Sequence, residues 1–347
     1  MSQEAELNVA PVPGSRGGPL DGRLSAPTKI DAEDAGALGR GRADRSLQLR
    51  KQRSLWGNAW RQFRRHRLAM AGLVVFVCFV IATFIGTELY TRPVNSPFEY
   101  TSDMPPSADH LFGTDSLGQD ILARVLWGGR VSIAVGLSAA AVAIIVGTAV
   151  GAIAGFFGGF SDSLLMRITD MFISLPQLPL LLLISYLFKQ ELYETFDQRF
   201  GNGNVGIFVL IVVVIAALNW MPTARLVRAS FLSAKEKEFV EAARSIGATR
   251  SSLIFKHILP NVLSPIIVAA TLGVGAAIIT ESALSFLGLG FPSDVPTWGQ
   301  MLFESQNFIE IAPHESLFPG AMIFLTVLAI NYIGDGLRDA LDPRKTQ

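Results

Sequence analysis

The sequence predicts an all-α fold, a polytopic bundle of six transmembrane helices. Half of the 347 residues are hydrophobic and only 17% are charged, and the mean hydropathy is +0.39, which is more apolar than a typical soluble domain. A helix needs roughly 20 apolar residues to cross a hydrocarbon core of about 30 Å. Six stretches approach that length: 68–86, 131–160, 171–188, 205–221, 258–280 and 317–334.

Two segments precede the first span. Residues 1–52 are rich in Gly, Pro, Ala and Arg without apolar periodicity, so we expect a disordered basic tail. Residues 53–67 place aromatic side chains such as Trp60 and Phe63 opposite arginines such as Arg64. This pattern predicts an interfacial amphipathic helix against membrane lipid. A nucleic-acid-binding arm is the alternative for this basic region, although we expect no nucleic-acid partner.

The distribution of basic residues predicts how the chain is threaded. If the N-terminus is cytoplasmic, 24 of the 29 Lys and Arg residues lie on the inner side and five on the outer side. Cytoplasmic loops are enriched in Lys and Arg. We therefore expect a multi-pass membrane protein with both termini in the cytoplasm, an external segment at 91–130 and a cytoplasmic loop at 222–260.

Glycine recurs every four residues in the second span, at Gly147, Gly151, Gly155 and Gly159. Helices in lipid associate through close backbone approach, which small residues at this spacing permit. The spacing predicts a helix-packing seam within the bundle.

Pro176 and Pro179 interrupt the third span. Each proline removes a helical hydrogen bond, so we expect a kink or an irregular start near the inner end of this span.

Few residues are candidates for chemistry. Cys78 is the single cysteine, and the four histidines are scattered, so we predict no metal site. We find no catalytic set and no G-x-x-x-x-G-K-[ST] phosphate loop. Glu281 lies at the outer end of the fifth span; it is a candidate for the translocation path, and an interfacial position facing polar solvent is the alternative.

The loop at 222–260 is too long for a simple turn and predicts two short helices. The first covers about 234–246 and ends at Gly247, which tolerates the left-handed cap conformation. Thr249 can cap the second, which runs to Ile258 before Pro260 marks entry to the next span.

The first of these helices carries a candidate docking surface. Ala242 and Ala243 leave a shallow surface for close packing, and Glu241 offers a charge to a partner. A solvated loop is the alternative, but it would not require two alanines followed by Gly247 at this spacing.

Glu241, Ala242 and Ala243, followed by Gly247, resemble the EAA motif of ABC importer permeases. Four further blocks of sequence resemble the C-type subunit of the dipeptide/oligopeptide (peptide/nickel) family of these permeases. They are HLFGTDSLGQDILARVLWGGRVSI at 110–133, GGFSDSLLMRITDMFISLP at 158–176, ESALSFLGLGFPSDVPTWGQML at 281–302 and GDGLRDALDP at 334–343.

This resemblance implies a protein of the bacterial inner membrane with the type I ABC importer architecture and a six-helix permease domain at 68–347. It implies an ATP-driven importer made of this chain, a second homologous permease, two ATP-binding subunits and an extracytoplasmic solute-binding protein. The implied function is import of dipeptides or oligopeptides, with Glu241, Ala242, Ala243 and Gly247 coupling the chain to the ATPase. No cofactor is expected in this chain, because ATP and Mg would bind to the ATPase subunits.

The outer loops are rich in acidic residues, among them Asp115 and Asp120. We expect these two side chains to receive the solute-binding protein. Two alternatives to peptide import stay open: import of nickel chelates or another small solute, and an autonomous secondary carrier, which would need more titratable groups within the membrane.

Overall fold

The structure is a computed structural model that describes residues 55–342, and the regular elements of that range are all helical. The predicted tail at 1–52 lies outside the described residues. A short π-helix covers Leu253–Ile258. In chain order the helices are α1 Leu55–Arg65, α2 Arg67–Phe84, α3 Gly86–Leu89, α4 Ile121–Phe157, α5 Gly159–Ser174, α6 Gln177–Phe200, α7 Gly203–Ala217, α8 Met221–Lys235, α9 Glu238–Ser245, α10 Arg250–Ser252, α11 Leu259–Phe286, α12 Trp298–Ser305 and α13 Pro313–Leu341.

Four helical stretches of the described chain are long and apolar enough to cross a membrane: Arg67–Leu89, Ile121–Phe157, Arg250–Phe286 and Pro313–Leu341. Two bent pairs bring the total to six if each pair is one span. Helices α5 and α6 meet at 86°, and α7 and α8 meet at 46°. The prediction of an all-helical membrane bundle is confirmed, and the first bend falls at Leu175 and Pro176, where the prolines predicted a break.

The second span begins earlier than the sequence predicted. Helix α4 starts at Ile121 instead of residue 131, because Asp120 caps it: the carboxylate accepts a hydrogen bond from the Ala123 amide at 3.0 Å. The segment before it is therefore shorter than the predicted 91–130. The fifth span is also longer than predicted, since helix runs without interruption from Arg250 to Phe286.

The glycine seam of α4 packs against α8 of the same chain. A Cβ atom on Gly151 would lie 2.4 Å from the Ala224 carbonyl oxygen, and one on Gly147 would lie 2.6 Å from that of Trp220. Gly155 makes a similar approach to Phe231, whereas Gly159 has open space around it. The seam therefore comprises three of the four predicted glycines.

We expect Gly151→Leu to destabilise the folded protein by about 1–3 kcal/mol or more, because the new side chain must displace the α8 backbone. The measurement is the thermal midpoint and the monodisperse yield in detergent. Ala149→Leu is the matched control, since Ala149 is exposed two residues away on the same helix. Equal losses in both variants would contradict the assignment of the seam.

Helix α1 packs against the last helix of the chain. Ala59 and Phe63 are buried with Ala69 of α2 and Ala340 of α13, and the Gln62 side-chain amide donates a hydrogen bond to the Asp339 carbonyl at 2.8 Å. The helix thus lies within the predicted 53–67, but its aromatic residues do not share one environment. Phe63 contacts protein, and Trp60 is exposed. Its position at the lipid surface stays a prediction.

Candidate functional site

Helix α9 is held by one face against its neighbours. Val240 and Ala243 are buried in an apolar cluster with Val227 and Phe231 of α8 and with Ile258. The helix is amphipathic, as expected for an eight-residue helix that packs one side on protein.

The opposite face of α9 is exposed. Glu241 and Ala242 are exposed, and Ile246 has 86% of its surface accessible. Ala243 points inward, so the expectation that both alanines form one shallow surface is wrong. Consecutive residues on a helix are rotated by about 100°, and only Ala242 shares the outer face with Glu241.

Gly247 ends α9 with the backbone conformation that the sequence predicted. Its φ angle is +85°, its amide donates to the Arg244 carbonyl at 3.0 Å, and the Ala248 amide donates to the Ala243 carbonyl at 3.0 Å. This pair of hydrogen bonds is the Schellman motif.

Thr249 caps the next helix as predicted, by accepting a hydrogen bond from the Ser252 amide at 3.3 Å. That helix does not end at Ile258. It continues through the π-helix and Pro260 into α11, so the second helix of the loop is one body with the following span.

Asp120 lies inside the chain and not on its surface. It is fully buried, and its carboxylate accepts a hydrogen bond from the Tyr90 hydroxyl at 2.9 Å. The same carboxylate caps α4 by accepting from the Ala123 amide. His110 Nδ1 lies 2.8 Å from the same carboxylate. Burial, together with the hydrogen bond and the charge of Asp120, raises the pKa of Tyr90 to about 12. Asp120 therefore ties the segment before α4 to the start of that helix.

Asp115 is also engaged within the chain. It accepts hydrogen bonds from the Gln119 amide at 2.8 Å and from Arg124 at 2.5 Å. Arg124, only 2% exposed, also donates to Glu304 of α12 at 2.7 Å. The two aspartates predicted to dock a partner thus hold the 91–120 segment on the bundle, and the burial of Asp120 argues against direct contact with another protein. In the loops at 91–120 and 289–315, the acids that the structure leaves exposed are Glu99, Asp109, Asp294 and Glu310.

Glu281 connects three helices and has no surface exposed. Its carboxylate accepts hydrogen bonds from the hydroxyls of Ser132 in α4 at 3.1 Å and Ser285 in α11 at 2.8 Å. The Ser132 oxygen also accepts from the Trp298 amide of α12 at 3.3 Å. Glu281 is thus enclosed by protein, away from solvent. Its role in the translocation path stays a prediction, and the geometry gives it a role in fixing α12 to the bundle.

A cavity of about 300 Å³ lies between α4, the junction of α7 with α8, and α11. Its walls are mostly apolar, and no residue lining it is charged. Asn219 and Thr223 supply the polar side chains. The residues that line it include Ala140, Ala143, Asn219, Ala269, Gly273 and Ala276.

The sequence did not predict this cavity, although it contains two local signals. One is Asn219, which interrupts the apolar span at 205–221 just before Pro222. The other is the spacing of Ala269, Gly273 and Ala276 along one side of α11. Within residues 55–342, no group of three or more His, Cys, Asp or Glu side chains could hold a metal ion.

The fold and this site define a multi-pass membrane protein with a cavity between its spans and a short helix exposed beside them. Residues 147–347 match the family described as the binding-protein-dependent transport system inner membrane component. Residues 54–111 match the N-terminal TM domain of oligopeptide transport permease C. The chain belongs to the first of these families, the inner-membrane permease subunits of binding-protein-dependent ABC transporters.

Three relatives extend the similarity over most of the chain. The dipeptide transport system permease protein DppC of Alkalihalophilus pseudofirmus is 40% identical, over 84% of this chain and 90% of the relative. The oligopeptide transport system permease protein OppC of Bacillus subtilis is 36% identical, over 85% and 92%. The glutathione transport system permease protein GsiD of Pectobacterium atrosepticum is 39% identical, over 84% and 92%.

Proposed function

We propose that this chain is the permease subunit of an ATP-driven importer of dipeptides and oligopeptides, in which it forms half of the translocation path. The observation that carries the proposal is the similarity to permeases named for dipeptide and oligopeptide transport, which covers more than four fifths of the chain. A relative named for glutathione transport is similar to nearly the same degree. Glutathione import is therefore the second candidate, ahead of nickel chelates and a secondary carrier.

The complete importer would contain a second homologous permease, two ATP-binding subunits that hold ATP and Mg, and a solute-binding protein. We assign contact with the ATPase to the outer face of α9, with Glu241, Ala242 and Ile246. Ala243 and Gly247 would act indirectly, because the first anchors the helix and the second ends it. The continuous helix from Arg250 to Phe286 supports transmission from α9 to the membrane. The count of basic residues supports cytoplasmic N- and C-termini.

The solute-binding protein would dock on the side opposite α9, where exposed acids remain available. The test is the double variant Asp109→Lys with Glu310→Lys. We expect it to need a severalfold higher concentration of binding protein for half-maximal stimulation of ATPase activity (the KM), with little change in maximal rate. The reason is that exposed charges mainly steer association. Asp115→Asn and Asp120→Asn should instead lower the stability of the permease. A KM unchanged in the double variant would contradict docking at these acids.

The experiment is uptake into proteoliposomes that contain the assembled complex with its binding protein. We expect ATP-dependent accumulation of labelled dialanine and pentaalanine that stops without ATP or without the binding protein. Accumulation of glutathione or a nickel chelate, with no alanine peptide taken up, would contradict peptide import and identify the alternative cargo. Uptake driven by an ion gradient without ATP would indicate a secondary carrier.

A further inference from the structure

The cavity between α4, the α7–α8 junction and α11 coincides with a break in a membrane helix. Helix α7 covers Gly203–Ala217, which is about 22 Å of rise, and α8 begins at Met221 after a bend of 46°. A hydrocarbon core is about 30 Å thick, so a break 22 Å from the end of the span falls within it. Irregular backbone at that depth is tolerated where it is covered by protein or lines a cavity.

Two side-chain amides sustain this break. Asn219 donates through Nδ2 to the Ile215 carbonyl at 2.8 Å, and Gln177 of α6 donates to the Leu218 carbonyl. Both carbonyls belong to the end of α7, where helical partners run out. Because Nδ2 donates this hydrogen bond, the Asn219 amide is held at the cavity wall. The Oδ1 atom of the same side chain can accept a hydrogen bond from a solute.

The rest of the wall is uncharged and mostly apolar. Small residues line it from two helices, among them Ala140 and Ala143 of α4 and Gly273 of α11. Larger apolar residues complete it, among them Ile144, Ile215, Leu226 and Leu272. The volume of about 300 Å³ lies at the lower end of the range found for small-molecule sites.

We infer that this cavity is the part of the translocation path that a peptide occupies in transit, and that Asn219 accepts a hydrogen bond from the peptide's backbone N–H. This inference rests on the proposed peptide import and adds the residues and the basis of selectivity. The amide recognises what all peptides share, and the Ala and Gly residues of the wall leave space for side chains of different shapes. A lipid chain is the competing occupant. If lipid filled the cavity, uptake would depend neither on the Asn219 amide nor on the space that a longer peptide needs.

Gly273 allows a test that leaves the fold intact. A Cβ atom there would meet only the Ala140 Cβ, at 3.8 Å, so a larger side chain extends into the cavity without a clash at its base. In the assembled importer with its binding protein, we expect Gly273→Leu to lower uptake of pentaalanine about tenfold and that of dialanine much less. The scale is that of pocket discrimination by added carbon atoms. Gly320→Leu is the matched control, because Gly320 of α13 also has only one neighbour, Leu302 at 3.8 Å.

The role of Asn219 is tested with a pair of solutes that differ in one group. Wild-type protein should take up dialanine faster than the ester analogue in which oxygen replaces the backbone N–H. Asn219→Ala should reduce that preference to the part contributed by the binding protein, which is measured separately as its relative affinity for the two solutes. Basal ATPase activity reports whether each complex remains assembled.

The outcomes separate the two levels of the proposal. If wild-type complex takes up no alanine peptide, the proposed function fails and this inference fails with it. If wild-type complex takes up both peptides, but Gly273→Leu shows no dependence on peptide length and Asn219→Ala keeps its preference for dialanine, the cavity is not the path and peptide import stands. A change of length dependence and loss of preference together support the inference.

Discussion

Gly247→Val is expected to abolish most of the coupling between peptide transport and ATP hydrolysis while the protein still inserts into the membrane. A β-branched residue is strained at the φ of +85° that Gly247 adopts, at about 1–3 kcal/mol. The cost is in the backbone, because no atom beyond the adjacent residues lies within 4 Å of the position where a Cβ would stand. Relief of the strain would unravel the end of α9 and shift its exposed face. We expect stimulated ATPase activity to fall about fivefold or more, the scale of a typical allosteric coupling term.

The chain supplies a matched control at Gly201. That glycine also ends a helix at positive φ, +69°, and also has open space around it, but it lies at the opposite end of the bundle from α9 in the predicted threading. Gly201→Val should therefore carry a similar backbone strain and retain coupling. Asn, which tolerates positive φ better than Val, should preserve much of the activity at position 247. Normal transport by Gly247→Val would refute the role of the cap.

Arg124→Met is expected to cause the largest loss of stability among single substitutions in the 91–130 region. The guanidinium is buried and bonds to Asp115, Gln119 and Glu304. Its removal leaves two carboxylates without their cation, and breaking a buried pair in this way costs about 3–5 kcal/mol. The measurement is the free energy of unfolding in mixed micelles, with the assembled yield as a second readout.

Arg225→Met is the control for loss of a charge without burial. Arg225 pairs with Asp170, but both side chains are more than half exposed, and exposed pairs contribute about 1 kcal/mol or less. Arg225 also lies outside the segment that Arg124 fixes. Equal destabilisation by the two substitutions would mean that the buried network around Arg124 contributes no more than a surface pair.

The helical class, the break near Pro176 and the cap at Gly247 follow from the sequence because each depends on local chemistry. Apolar length predicts a span, proline lacks the amide a helix needs, and glycine permits positive φ. The signals are contained within a few residues, so tertiary packing did not overturn them. Thr249 is a further example, since its side chain caps the nearest amides.

The features that the sequence did not predict depend on what each residue meets in the folded chain. The sequence predicted that Asp115 and Asp120 are exposed, because their partners Arg124, Tyr90 and His110 become neighbours only on folding. Ala242 and Ala243 are equivalent in composition and differ only in which of them faces α8.

The cavity escaped prediction for the same reason. Its walls come from three distant segments, and none of them is unusual alone. Helix breaks within apolar spans are the local signal that could have directed attention to Asn219.

Contact between the exposed face of α9 and the ATPase can be observed by site-specific photocrosslinking in the native membrane. A photoreactive residue at Ile246, which is 86% exposed, should crosslink to an ATP-binding subunit identified by mass spectrometry. The same residue at Leu111, which is exposed in the 91–120 segment, should not. If Ile246 crosslinks only to lipid while a second permease still copurifies with the chain, the account of coupling through α9 is contradicted.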